Sequence, residues 1–259
     1  MSLEKLTDKQ SGALVNLQSC YQQLQQKNSN VVIELLPQGP QTVVYDWDHY
    51  PDADEVCDTV NHTQYYYHSH PSHDPIRLIE HGHFHVFLRG CIFPETMQPL
   101  HISEKHKLDP TKDNLSHLIA IAMSDQGYPV ALFTLNHWVT QGLWYAAKDM
   151  ISALDSFLLT ENRYPITNQW VTSLIHLLQP QIEALLKPLS TADGTIFPCL
   201  NSSLIRSKIN TLESTAIPIK RIKPAIPGNV KVALNRAKPA TNKIKFKIKA
   251  IIAFSPESL

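Results

Sequence analysis

The chain has 259 residues, 43% hydrophobic and 18% charged, which excludes full-length disorder and a collagen-like repeat and argues against a membrane channel. Its formal net charge of zero joins two opposite segments. Residues 1–203 carry 11 Lys and Arg against 21 Asp and Glu, residues 204–259 carry 12 against 2, and the zero therefore excludes no class of partner.

Residues Asp8 to Lys27 read as a helix that Thr7 can cap, with Leu14, Leu17, Tyr21 and Leu24 along one face. Val31 to Leu36 and Gln41 to Tyr45 are β-branched runs around Pro37, Gly39 and Pro40, which predicts strand, turn and strand. Asp46 to Asn61 is acidic and polar and reads as a loop. It lacks the Gly of a calcium-binding loop. Gln64 to His70 and His81 to Arg89 read as two strands joined by a loop containing Pro71 and Pro75. Cys91 to Asn114 reads as a long connection. His117 to Met123 and Val130 to Leu135 flank Ser124-Asp125-Gln126-Gly127-Tyr128-Pro129, a hairpin turn signal. Ala146 to Leu159 is helical in pattern. Thr167 can cap a second helix running to Leu186, which Pro180 should kink or split. The expected class is α+β: a central antiparallel β-sheet with helices packed on it, an acidic body over residues 1–203 and a basic Pro- and Lys-rich tail over residues 204–259. In the tail, Lys243, Lys245, Lys247 and Lys249 alternate with apolar residues, a strand period with one cationic face that can bind anions.

The first ten residues have no apolar core of a secretory signal, and no stretch approaches the length of a membrane span. The cysteines Cys20, Cys57, Cys91 and Cys199 form no C-x-x-C pair and read as reduced thiols, so a cytoplasmic protein is expected. No dinucleotide fingerprint, phosphate loop, nucleophile elbow or H-E-x-x-H motif is present.

The chemistry-bearing feature is histidine. Seven of the 13 His fall between His62 and His85. In His81-Gly82-His83-Phe84-His85-Val86-Phe87-Leu88 the strand period puts His81, His83 and His85 on one face and Gly82, Phe84, Val86 and Leu88 on the other. The same period groups Tyr66, His68 and His70. Paired as a hairpin, the two strands bring these imidazoles within reach of a shared divalent transition metal. His68, His70, His83 and His85 are the expected ligands, for zinc or iron, with Glu80 and His81 as proton-moving groups. Tyr66, Arg89, His137 and Trp138 are expected to line a substrate pocket. Arg89 shares the parity of the histidines, and His137 and Trp138 close a predicted strand. A polar histidine cluster without metal is the bland alternative. His117 and His176 read as structural. The His68-Ser69-His70-Pro71 core is similar to that of the JAMM metalloproteases, but the Ser and Asp that should follow it are missing.

Asp48-His49-Tyr50-Pro51, Gln64 to His70, Glu80 to Arg89, Trp138-Val139-Thr140 with Trp144-Tyr145, Pro180-Gln181-Ile182 and Leu212-Glu213-Ser214-Thr215 together resemble a family of uncharacterised bacterial proteins, a domain of unknown function. The resemblance covers roughly residues 10 to 218 and implies a discrete domain with no known activity. Past Ile219 the chain departs from it, either as a basic arm or through a changed reading frame.

Three functions follow as expectations: a metal-dependent enzyme acting through activated water or dioxygen on a small-molecule substrate; a non-catalytic metal carrier or sensor; or a module that binds anionic partners through the tail, which can also dock on the acidic body.

Overall fold

Two antiparallel strands, Thr63–Ser69 and Gly82–Arg89, set the frame of the candidate site. The computed structural model describes residues 6–37, 44–45, 47–51, 55–69, 80–102, 114–135, 137–140 and 142–187. His70, the run 41–43, residues 71–79, residues 103–113 and the whole basic tail with Lys243, Lys245, Lys247 and Lys249 lie outside the described residues. Strands β1 (Val56–Asp58), β2 (Thr63–Ser69), β3 (Gly82–Arg89), β5 (Leu115–Met123) and β6 (Pro129–Phe133) form one antiparallel sheet in the order β1–β2–β3–β5–β6. The short strands β4 (His101–Ile102) and β7 (Leu143–Trp144) pair separately. Helices α1 (Asp8–Gln26), α2 (His137–Thr140), α3 (Ala147–Leu154), α4 (Pro165–Leu177) and α5 (Gln179–Leu186) complete an α+β arrangement. Among the described residues, no helix is long and apolar enough to cross a membrane.

The alternation in β2 and β3 sorts their side chains onto two faces. Tyr65, Tyr67, Phe84, Val86 and Leu88 are buried on one of them, and the Phe84 ring lies 5.6 Å from that of Trp170 in α4. The Tyr65 hydroxyl donates to Asn168 Oδ1 at 2.8 Å, tying this face to the same helix. Helix α1 packs along α4. Its capping box joins Thr7 and Gln10 in both directions. Its fully buried positions are Ala13, Leu17, Cys20 and Leu24. Leu14 and Tyr21 flank that stripe, so the buried face is rotated from the one expected.

Several elements differ from expectation, among them the helix expected over Ala146 to Leu159, which spans Ala147–Leu154. Val31 to Leu36 is a turn and a 3-10 helix over Ile33–Leu35 instead of a strand. Asn30 Oδ1 accepts from the backbone N–H groups of Val32 and Ile33, each at 2.9 Å, and this local bonding overrides β-propensity. The acidic loop contains β1, held where Asp58 accepts bonds from the N–H groups of Val60 and Asn61 and from Thr160. Helix α4 starts at Pro165, not Thr167. The Thr167 hydroxyl instead donates to Glu34 Oε2 at 2.5 Å. Pro180 divides the predicted long helix into α4 and α5 because it has no N–H for the carbonyl of His176. The β5–β6 hairpin forms as expected, with Gly127 at φ +77, a backbone that other residues rarely adopt.

Candidate metal centre

The second face of the sheet carries the histidines. The register pairs Tyr66 with His85 and His68 with His83, so adjacent rows bring three imidazoles together. Ala120 and Ala122, small residues on β5, lie opposite His85 and His83. The Nε2 atoms of His68 and His83 are 2.9 Å apart, those of His83 and His85 2.9 Å, and those of His85 and His68 3.3 Å. His83 and His85 are buried, while His68 is half-buried.

This triangle cannot be satisfied by its own protons. Each contact needs one N–H and one lone pair. Three atoms in a closed ring cannot alternate between two roles, so at least one pair is always mismatched. His83 sharpens the conflict: its Nδ1 faces Glu80 Oε1 at 2.6 Å, which places its proton there and leaves a lone pair at Nε2. One metal ion would use three lone pairs at once. Bonds of about 2.0–2.1 Å at angles near 90–109° place donor nitrogens roughly 2.9–3.4 Å apart, which covers the observed spacing. The cluster of His68, His83 and His85 can therefore hold a metal ion.

His117 stands behind His85, with its Nε2 3.1 Å from His85 Nδ1. Strict alternation would put His117 with Ile119 and Ile121 on the helix-covered face. The register instead runs Val86 to Ile119 and Phe87 to His117, leaving Leu118 as the extra residue of a bulge. The bulge turns His117 onto the histidine face. Burial, and then the nearby His83, bring the His117 imidazole down to about 3. Burial first, then His83, His117, His68 and His49, push His85 well below its ordinary value. Both rings are thus neutral at neutral pH, the form that ligates metals.

The remaining expected site residues are distributed as follows. His81 departs from the shared face. It precedes β3, and its Nδ1 lies 2.6 Å from the Tyr67 hydroxyl, the two rings stacked side by side. Gly82 makes this possible, because a Cβ there would meet that hydroxyl and the Ser69 backbone. Tyr66 lies beside the trio, its ring 4.9 Å from that of His85. Arg89 sits six residues from His83 along β3, about 20 Å by strand rise. Its guanidinium bonds Gln64 Oε1 and the Cys57 thiol. His137 and Trp138 open α2 instead of closing a strand, and their side chains lie outside the described residues.

Trp47 and His49, neither expected as a site residue, stand at the outer edge of this face. The backbone N–H of Trp47 donates to the Ser69 carbonyl at 3.1 Å, beyond the end of β1. Its ring meets that of His68 at 6.2 Å and 78°. His49 stacks on Tyr66 at 3.8 Å, and its Nδ1 lies 3.0 Å from Glu55 Oε1.

A family model matches residues 11–189, more than half of the chain. The chain belongs to DUF6969, a domain of unknown function. The match takes in the sheet and every residue of the trio, and it ends before Leu212-Glu213-Ser214-Thr215. No curated protein and no solved structure matches the chain.

Proposed function

We propose that this DUF6969 chain is a metal-dependent enzyme whose divalent ion, zinc or iron, is held by His68, His83 and His85. The convergence of three Nε2 atoms at 2.9–3.3 Å carries the reading, because one shared cation would use all three lone pairs where hydrogen bonds leave at least one pair mismatched. Three protein ligands with further positions open are the pattern of catalytic centres, whereas structural sites close with four. The metal would supply a Lewis acid that activates water or dioxygen on a small-molecule substrate.

Glu80 is better suited to positioning than to proton transfer, since its carboxylate holds His83 Nδ1. The bond between His81 and Tyr67 favours a structural role for His81. His70, outside the described residues, stays a candidate fourth ligand. If it ligates, the closed set favours a metal carrier or sensor over an enzyme. A cytoplasmic location is part of the same proposal, as is capture of anionic partners by Lys243, Lys245, Lys247 and Lys249.

Cobalt(II) titration of untagged protein, read by its visible ligand-field bands, tests the proposal. Saturable imidazole-ligated bands that disappear in His68→Ala, His83→Ala and His85→Ala alike are expected. Bands that persist in all three variants would refute it.

A further inference from the structure

We propose that Trp47, with His49 and Tyr66, forms a wall on which the centre takes a planar conjugated ligand that offers the metal an anionic oxygen. This rests on the metal reading and names the ligand class it implies.

Trp47 is held against two of its own preferences. Its indole is 62% exposed, while Tyr50, three residues on, is 4% exposed and buried in the core. Its φ is +72°, a left-handed backbone that a bulky side chain adopts only under strain. The bond from its N–H to Ser69 fixes it there. Among the described residues, exposure and strain coincide on a tryptophan whose ring meets a member of the trio.

The placement identifies the occupant. His83 and His85 are 2% and 4% exposed, whereas His68 is only half-buried, so solvent reaches the trio on the His68 side. Trp47 stands on that side. His49 lies 5.8 Å from His68, and its stack on Tyr66 continues to Phe87, whose ring is 5.6 Å from Tyr66. Glu55 holds His49 in the stack. The exposed rings of Trp47 and His49, the latter backed by Tyr66, offer π faces beside a metal site, which suits a flat ligand. Three imidazole ligands carry no negative charge of their own, and the Glu80 carboxylate is turned to His83 Nδ1 instead of the centre, so an oxygen anion suits a divalent ion held there. Phenolates, enolates and aryl carboxylates share this chemistry.

The test uses the full untagged chain loaded with cobalt(II). Nitrocatechol is a flat anionic oxygen donor with a visible spectrum, and acetohydroxamate is an oxygen donor of similar bite without a ring. Trp47→Ala is expected to weaken nitrocatechol binding about tenfold, or 1.4 kcal/mol, and acetohydroxamate less than about twofold. Trp47→Phe is expected to restore most of the nitrocatechol affinity. Cobalt content stays unchanged in both variants. No binding of nitrocatechol to the loaded parent, or equal effects of Trp47→Ala on the two probes, would overturn the ligand class while leaving the metal reading intact. Failure of the parent chain to retain cobalt would bring down the metal reading itself, and this inference with it.

Discussion

Glu80 and His117 act on the imidazole nitrogens that face away from the trio's centre. A carboxylate 2.6 Å from His83 Nδ1 fixes that proton, and His117 Nε2 can accept from His85 Nδ1 at 3.1 Å. Partners of this kind commonly govern metal affinity by about 10–100-fold. Glu80→Gln and His117→Ala are each expected to weaken metal binding by about tenfold or more, measured by competition with a chromogenic chelator. Unchanged affinity in both would show that the tautomers are set elsewhere.

Asp58 matters for stability. Burial raises its carboxyl, but bonds from the backbone and side chains of Asn61 and Thr160 outweigh that and bring it from 3.8 to about 2. Because the folded-state value is the lower one, its stabilisation is complete above about pH 4 and is lost as pH falls towards 2. The difference amounts to roughly 2 kcal/mol. Asp58→Asn is expected to lose about that much at pH 7 in urea unfolding, and the gap to the parent should narrow as pH drops from 4 to 2.

At the scale of elements, the β2–β3 pairing decides whether a centre exists. The added methyl of Gly82→Ala would meet Ser69 Cα at 2.8 Å and also the His68 backbone oxygen, so the strands must separate where His68 faces His83. That substitution is expected to cost at least about 2 kcal/mol in denaturant unfolding and to impair metal uptake. Both strands were legible in the sequence because their period of two is unbroken from Gln64 to Ser69 and from Gly82 to Val86. The trio was legible for the same reason. His117 was not, since its strand parity points to the wrong face and only the bulge at Leu118 corrects it. Trp47 and His49 were also hidden. They reach β2 through nonlocal pairing of a segment whose composition reads as loop. Val31 to Leu36 misled because one Asn30 side chain outweighed a run of β-formers.

At the scale of the whole molecule, chemistry and charge separate along the chain. The family match ends at residue 189, and the basic excess of 12 against 2 begins after residue 203. The three candidate ligands lie between His68 and His85, far from that excess in sequence. Removal of residues 204–259 is therefore expected to leave metal stoichiometry and the melting temperature of the body unchanged, checked by elemental analysis and thermal unfolding. Binding to anionic matrices at low salt should fall, because the body alone is acidic.

The most direct measurement is the metal content of protein purified without a histidine tag, set beside a His83→Ala/His85→Ala variant of equal helicity. The account predicts about one transition-metal ion per chain in the parent and almost none in the variant. Substoichiometric metal that is the same in both would contradict it.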